Sequence, residues 1–179
     1  MSQRTVLTAI VATMAFSMTA GVASAEGRVP IIATFDVAFT ASPNTGGTTY
    51  CGGVAQAAVV EAHGVGTSDL GPMLIQVNKT LTPGGAMHGC VTLTAANGDT
   101  LNATYEGTIA VPNPNNFSPF SGSLTFTGGS GQFHNATGTA TFTAWASFFY
   151  PTISFLGGSA LPVQGTAFYL VQGSVSLGH

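Results

Sequence analysis

Period-two hydrophobicity, repeated along most of the chain, is the feature that most restricts its fold. Residues 31–40 set Ile31, Ala33, Phe35, Val37 and Phe39 on one face and Thr34, Asp36 and Thr40 on the other. Residues 100–111 repeat the pattern, with Leu101, Ala103, Tyr105, Ile109 and Val111 opposed to Asn102, Thr104, Glu106 and Thr108. A strand turns successive side chains to opposite faces, so each run reads as a half-buried strand, and no helical period competes with it. Further strands are expected near 54–63, 72–81, 90–96, 121–127, 136–149 and 164–177. Turn formers separate them: Ser42-Pro43-Asn44, Asn97-Gly98-Asp99, Pro112-Asn113-Pro114 and Gly157-Gly158. About eight strands with short connections imply an all-β fold, a single antiparallel barrel.

Part of the chain echoes itself. Gly89-Cys90-Val91-Thr92-Leu93-Thr94, Gly98 and Asn102-Ala103-Thr104 recur as Gly122-Ser123-Leu124-Thr125-Phe126-Thr127, Gly131 and Asn135-Ala136-Thr137, each shifted by 33. Two tandem hairpins follow, and Gly128-Gly129-Ser130-Gly131 takes the place of Ala95-Ala96-Asn97-Gly98. The glycines then serve a tight turn. A phosphate loop is the rival reading. It would need a lysine after the glycines or a helix N-terminus, and the lone lysine, Lys79, lies well upstream.

Before any fold reasoning the N-terminus is set apart. Arg4, the largely apolar run Val6–Val22 and the small-x-small Ala23-Ser24-Ala25 read as a signal peptide cleaved after Ala25, leaving residues 26–179 as one domain. That domain keeps Arg28 and Lys79 against Glu26, Asp36, Glu61, Asp69, Asp99 and Glu106, which excludes the basic footprint of a nucleic-acid binder. A charged fraction of 5% leaves solvation to Thr, Ser, Asn and Gln, or to coverage by lipid or other subunits. In a secreted or periplasmic setting the pair Cys51 and Cys90 reads as a disulfide. Its loop would restrict the unfolded chain by roughly 4 kcal/mol on the entropic account.

With these segments in place, Thr127-Gly128-Gly129-Ser130-Gly131-Gln132-Phe133-His134-Asn135-Ala136-Thr137-Gly138 resembles the GGTGxFxxAxG signature of dirigent proteins and allene oxide cyclase-like barrels. It is still more similar to a group of secreted bacterial proteins in which TLTAANGDTL, matched here by Thr92–Leu101, precedes GGTGRFxxATG. The resemblance spans roughly residues 60–143 and rests on Gly128, Gly129, Gly131, Phe133 and Gly138. Gln132 stands where the group usually has arginine, and Asp69 where histidine is common. What the resemblance implies is a calycin-like antiparallel barrel with an apolar lumen open at one end. In the plant relatives such a lumen orders a reactive apolar substrate, and those members are often trimeric.

Candidate chemistry is sparse. Glu61 and His63, two residues apart on one strand face, could meet one ligand or could both face water, the usual place of a strand's polar side. Glu106 lies on a polar face, His134 follows the glycine turn, and His179 ends the chain. His88 beside Cys90 makes only a weak zinc pair, so no metal and no cofactor is expected. Adjacent Phe148 and Phe149 must point to opposite faces, and together with Trp145, Tyr150 and Phe155 they suggest a subunit contact or, as a rival, the aromatic girdle of an outer-membrane barrel. The expectation is a secreted or periplasmic homo-oligomeric barrel that binds a small apolar ligand or serves a surface or assembly role. A cyclase- or dirigent-like enzyme is the alternative, and it would need an ionisable group inside the lumen.

Overall fold

The computed structural model describes residues 27–149 and 163–177. Eight strands follow in chain order: β1 (Arg28–Pro43), β2 (Ala58–Ser68), β3 (Gly71–Leu81), β4 (Ala86–Ala95), β5 (Thr100–Ile109), β6 (Phe117–Gly129), β7 (Thr137–Phe148) and β8 (Val163–Ser176). Each pairs antiparallel with the next, and β8 returns to β1, so the sheet closes as an up-and-down barrel without a free edge. The leader with its cleavage point after Ala25, the Gly157-Gly158 turn, Tyr150, Phe155 and His179 lie outside the described residues.

Parity decides what is inside. On β1, Ile31, Ala33, Phe35, Val37 and Ala41 are buried while Asp36, Ala38 and Thr40 face water. The other seven strands send their apolar sets inward in the same way, so the wall is apolar within and rich in Thr, Ser and Asn without. A bilayer-spanning barrel has the reverse arrangement.

Two expectations change. β2, expected near 54–63, begins at Ala58 and runs on to Ser68, taking in Gly64 and Gly66. They are strand residues because β1 passes too close for a side chain: a Cβ at Gly64 would lie 2.0 Å from the Asp36 carbonyl, and one at Gly66 2.0 Å from that of Thr34. Val111, expected on the inner face, is exposed, since β5 ends at Ile109 and the chain turns away toward Pro112.

The two barrel ends differ. One, the turn end, carries the short β2–β3, β4–β5 and β6–β7 connections. The other, the loop end, carries the β3–β4 and β5–β6 connections and the two longest, 44–57 between β1 and β2 and 149–162 between β7 and β8. There residues 44–57 leave β1 and cross the outside of the wall to β4, where Cys51 is disulfide-bonded to Cys90. His88 on β4 underlies this strap, with Nε2 3.2 Å from the Cys51 carbonyl oxygen, and a Cβ on Gly53 would collide with its ring. Thr80, on the same outer register as His88, is fully buried.

At the turn end the glycine loop has an anion to cradle, and it is the protein's own. Asp99, in the β4–β5 turn, accepts a hydrogen bond from the Gln132 backbone N–H at 3.1 Å. A Cβ on Gly131 (φ +56°) would sit 1.8 Å from the Asp99 carboxylate, so the glycine leaves both the space and the positive φ that this contact requires. Ser130 Oγ accepts from the Thr100 N–H at 2.9 Å. Thus the corresponding turns of the two tandem hairpins dock on one another, and Phe133, in the short 3₁₀ turn Gly131–Phe133, is buried beneath them. Gly131→Ala is expected to lower unfolding stability by about 1–3 kcal/mol and Asp99→Ala by about 1–2 kcal/mol, read from urea titrations. The two losses in the double variant should fall short of additive, because both remove one contact.

Candidate functional site

β3 alternates Met73, Ile75, Val77, Lys79 and Leu81 toward the lumen. That parity carries Lys79, the chain's sole lysine, into the barrel, where its side chain is 5% exposed. Across the wall Lys79 is in register with Gly89 on β4, and Gly89 with Tyr105 on β5. Gly89 is what lets the outer two meet. A Cβ there would lie 2.6 Å from that of Lys79. Over this gap the Lys79 ammonium or amine donates to the Tyr105 hydroxyl at 3.2 Å, and its Nζ stands 4.7 Å from the Tyr105 ring centroid and 4.9 Å from that of Phe120. Met87 Sδ accepts from the Tyr105 hydroxyl at 4.0 Å.

Rings fill the barrel around this pair. Phe142 stacks on Tyr105 at 4.7 Å, and Tyr169 meets Phe120 edge-on at 5.1 Å. Toward the turn end the lumen is packed almost solid, with a residual space of about 10 Å³. On the loop-end side a cavity of about 30 Å³ remains, lined by Phe39, Val60, Lys79, Met87, Phe120 and Tyr169 among others. Room of that size holds a water or so; a larger guest needs Met87 or its neighbours to give way. The resemblance implied an open apolar lumen, and the structure shows an apolar but largely filled one.

Electrostatics at the site follow from burial. Desolvation disfavours the ammonium and holds Lys79 down to about 7 from its ordinary 10.5. Every carboxylate among the described residues, Asp36, Glu61, Asp69, Asp99 and Glu106, lies outside the lumen, so none offsets that penalty. Burial also pushes Tyr105 well up, with the neighbouring Tyr169 phenol adding to the shift, and raises Tyr169 itself. At neutral pH the lumen therefore presents an amine close to half neutral beside two un-ionised phenols.

Other sequence candidates fall elsewhere. Glu61 and His63 both project from the outer face of β2, in a shallow groove with Thr40, Phe149 and Gln164, and Tyr50 of the strap donates to Glu61 Oε1 at 3.5 Å. Burial, and then the Glu61 charge, raise the pKa of Tyr50. Glu106 is also outside, 3.5 Å from His88 Nδ1. His134 is exposed at the turn end, opposite the cavity. No cluster of three or more potential metal ligands occurs among the described residues. The sequence reading used Lys79 in the charge balance and to reject a phosphate loop, and did not name it as a site residue. Its position on the apolar parity of β3 was the signal that places it inside.

No protein-family model and no curated protein matches this sequence. Among solved structures the chain is similar to a pterocarpan synthase dirigent protein, with 16% identity and a TM-score of 0.46, over 85% of this chain and 88% of that one.

The buried amine has a pH signature. A lysine whose folded pKa is lowered makes the native state shed its proton first, so stability is least below pH 7 and rises as pH climbs from about 7 toward 10.5. Tyr105 and Tyr169 act the other way, because their raised values hold stability below about pH 10 and lose it above. Unfolding free energy from urea titrations should therefore rise between pH 7 and about pH 10 and then fall. Lys79→Met should flatten the rise and add roughly 1–4 kcal/mol at pH 6.

Proposed function

We propose that this barrel is an extracytoplasmic binder of a small apolar ligand, held in the loop-end half of the lumen with its polar group against Lys79. The single observation that carries the reading is an uncompensated lysine inside an apolar barrel, bordering the larger of its two lumenal spaces. Packing alone would be served better by a methionine, so a destabilising amine there points to use. The chemistry around it selects the ligand: rings and aliphatic side chains for an apolar body, with an amine and the Tyr169 hydroxyl for one hydrogen-bonding end. The Cys51–Cys90 disulfide supports an oxidising compartment.

A second reading, a cofactor-free cyclase- or dirigent-like activity on an apolar substrate, is favoured by the same group. Such chemistry needs an ionisable side chain in the lumen, and Lys79 with Tyr105 supplies an acid–base pair at 3.2 Å. Self-association belongs to the proposal too. Trp145 and Phe168 stack on the outer wall, 6.4 Å between centroids, and with nearby Phe117 they leave an aromatic strip exposed to water.

Butanol, which has the required shape and cannot react with an amine, is the first probe. In a titration followed by amide and methyl NMR, shifts should concentrate at Ala62, Ala146 and Ala167, which line the loop-end cavity. Leu81→Trp, which fills that space, should abolish them with the fold retained by circular dichroism. Shifts scattered over the outer wall, unaffected by Leu81→Trp, would sink the lumenal reading.

A further inference from the structure

We infer that Lys79 forms a reversible imine with a short apolar aldehyde or ketone, the ligand class that the loop-end cavity takes. The inference rests on the lumenal binding proposed above and names its chemistry. Three features of the site carry it. First, the amine is enclosed among Val60, Leu81, Met87 and Phe120, away from bulk water. Second, no carboxylate from any strand packed against it faces it; the titratable groups on that side are Tyr105 and Tyr169. A lysine kept for structure inside a protein is ordinarily paired, and this one has no anion to hold it charged. Third, the Tyr105 hydroxyl lies 3.2 Å from Nζ, within proton-transfer distance of the reacting nitrogen.

The step balances without oxidant or reductant. The Nζ lone pair attacks the carbonyl carbon and forms the C–N bond, while the π electrons move to oxygen, which takes a proton from Tyr105. Nitrogen returns a proton to the Tyr105 oxygen, giving a neutral carbinolamine. Tyr105 then gives its proton to the carbinolamine hydroxyl, which leaves as water, and the Tyr105 oxygen takes the second nitrogen proton, so that one imine and one water are formed and Tyr105 ends as it began. The cavity of about 30 Å³ matches the released water in size, and the bound chain takes the room that Met87 and its neighbours yield. Burial assists, since a neutral amine is the nucleophile, and Lys79 is held down to about 7.

Because the chain has a single lysine, the test has one lumenal target, and the amino terminus serves as an internal comparator. The folded protein is treated with butanal and cyanoborohydride, and the N-butyl adducts are located by peptide mass mapping. Lys79 should be modified at least about tenfold faster than the amino terminus, as expected for an amine that binds its partner before reacting. Excess butanol should slow the Lys79 adduct alone, and Tyr105→Phe should slow it about tenfold while leaving butanol binding in place. Lys79 reacting no faster than the amino terminus, in protein that binds butanol, overturns the imine and leaves lumenal binding standing. If neither butanol nor butanal reaches the lumen, the binding proposal itself falls. An equal rate in Tyr105→Phe overturns the proton-transfer role given to Tyr105.

Discussion

A closed barrel of eight strands encloses a volume that its inward side chains must fill, and much of this structure answers to that constraint. Rings are placed where neighbouring strands offer glycine. The Phe142 ring lies over Gly122, where a Cβ would come within 2.7 Å of it, and the Phe39 ring covers Gly165 at 2.5 Å. Gly89 makes the same provision for the Lys79–Tyr105 contact. Large and small residues alternate around the wall, so that one layer holds both a stack of aromatics and a long polar chain without forcing the strands apart. A substitution that adds a carbon at these glycines acts on the neighbouring strand as well as on its own.

The same constraint explains what the sequence revealed and what it concealed. Closure needs every strand to obey parity, and parity is a local property, so Ile31 to Val37 and Leu101 to Tyr105 announce their inner face directly. Turn glycines were legible where they follow apolar runs, as at Gly98 and Gly131. The extension of β2 through Gly64 and Gly66 was not legible, because a glycine that admits a neighbouring backbone looks the same in one dimension as a glycine that bends its own. The candidate site was half visible. Lys79 obeys the parity of Met73, Ile75 and Val77, whereas charge alone places a lysine outside. Its meeting with Tyr105 depends on the register of β3, β4 and β5, which no single segment encodes.

Stability and chemistry are divided between the two ends. At the turn end, the Asp99–Gln132 and Ser130–Thr100 bonds tie successive hairpins together over the buried Phe133, and the lumen behind them is nearly solid. The loop end carries the remaining cavity, the lysine and the disulfide-held strap. Binding sites sit where connections can vary without disturbing the scaffold, and the half of this barrel that has space lies at the end from which the β1–β2 strap departs. The strap reaches from β1 to β4 outside the wall, so the disulfide fixes the shape of the strands that supply Val60, Lys79 and Met87 to the cavity.

Lys79 and Asp99 make an instructive contrast. The carboxylate at the turn end is half-buried but hydrogen-bonded to backbone and within reach of water, so retaining its charge asks little of the fold. The amine is in the opposite situation: its only polar contact is a phenol, its other neighbours are apolar, and its charged form is disfavoured by the enclosure itself. Natural sequences depart from such consistency mainly where a site requires it. A methionine would satisfy volume, parity and solvation at that position, and the strand would form as readily. What a methionine lacks is a lone pair on nitrogen, presented to an apolar space beside a proton donor. That is the property on which the proposed lumenal chemistry rests.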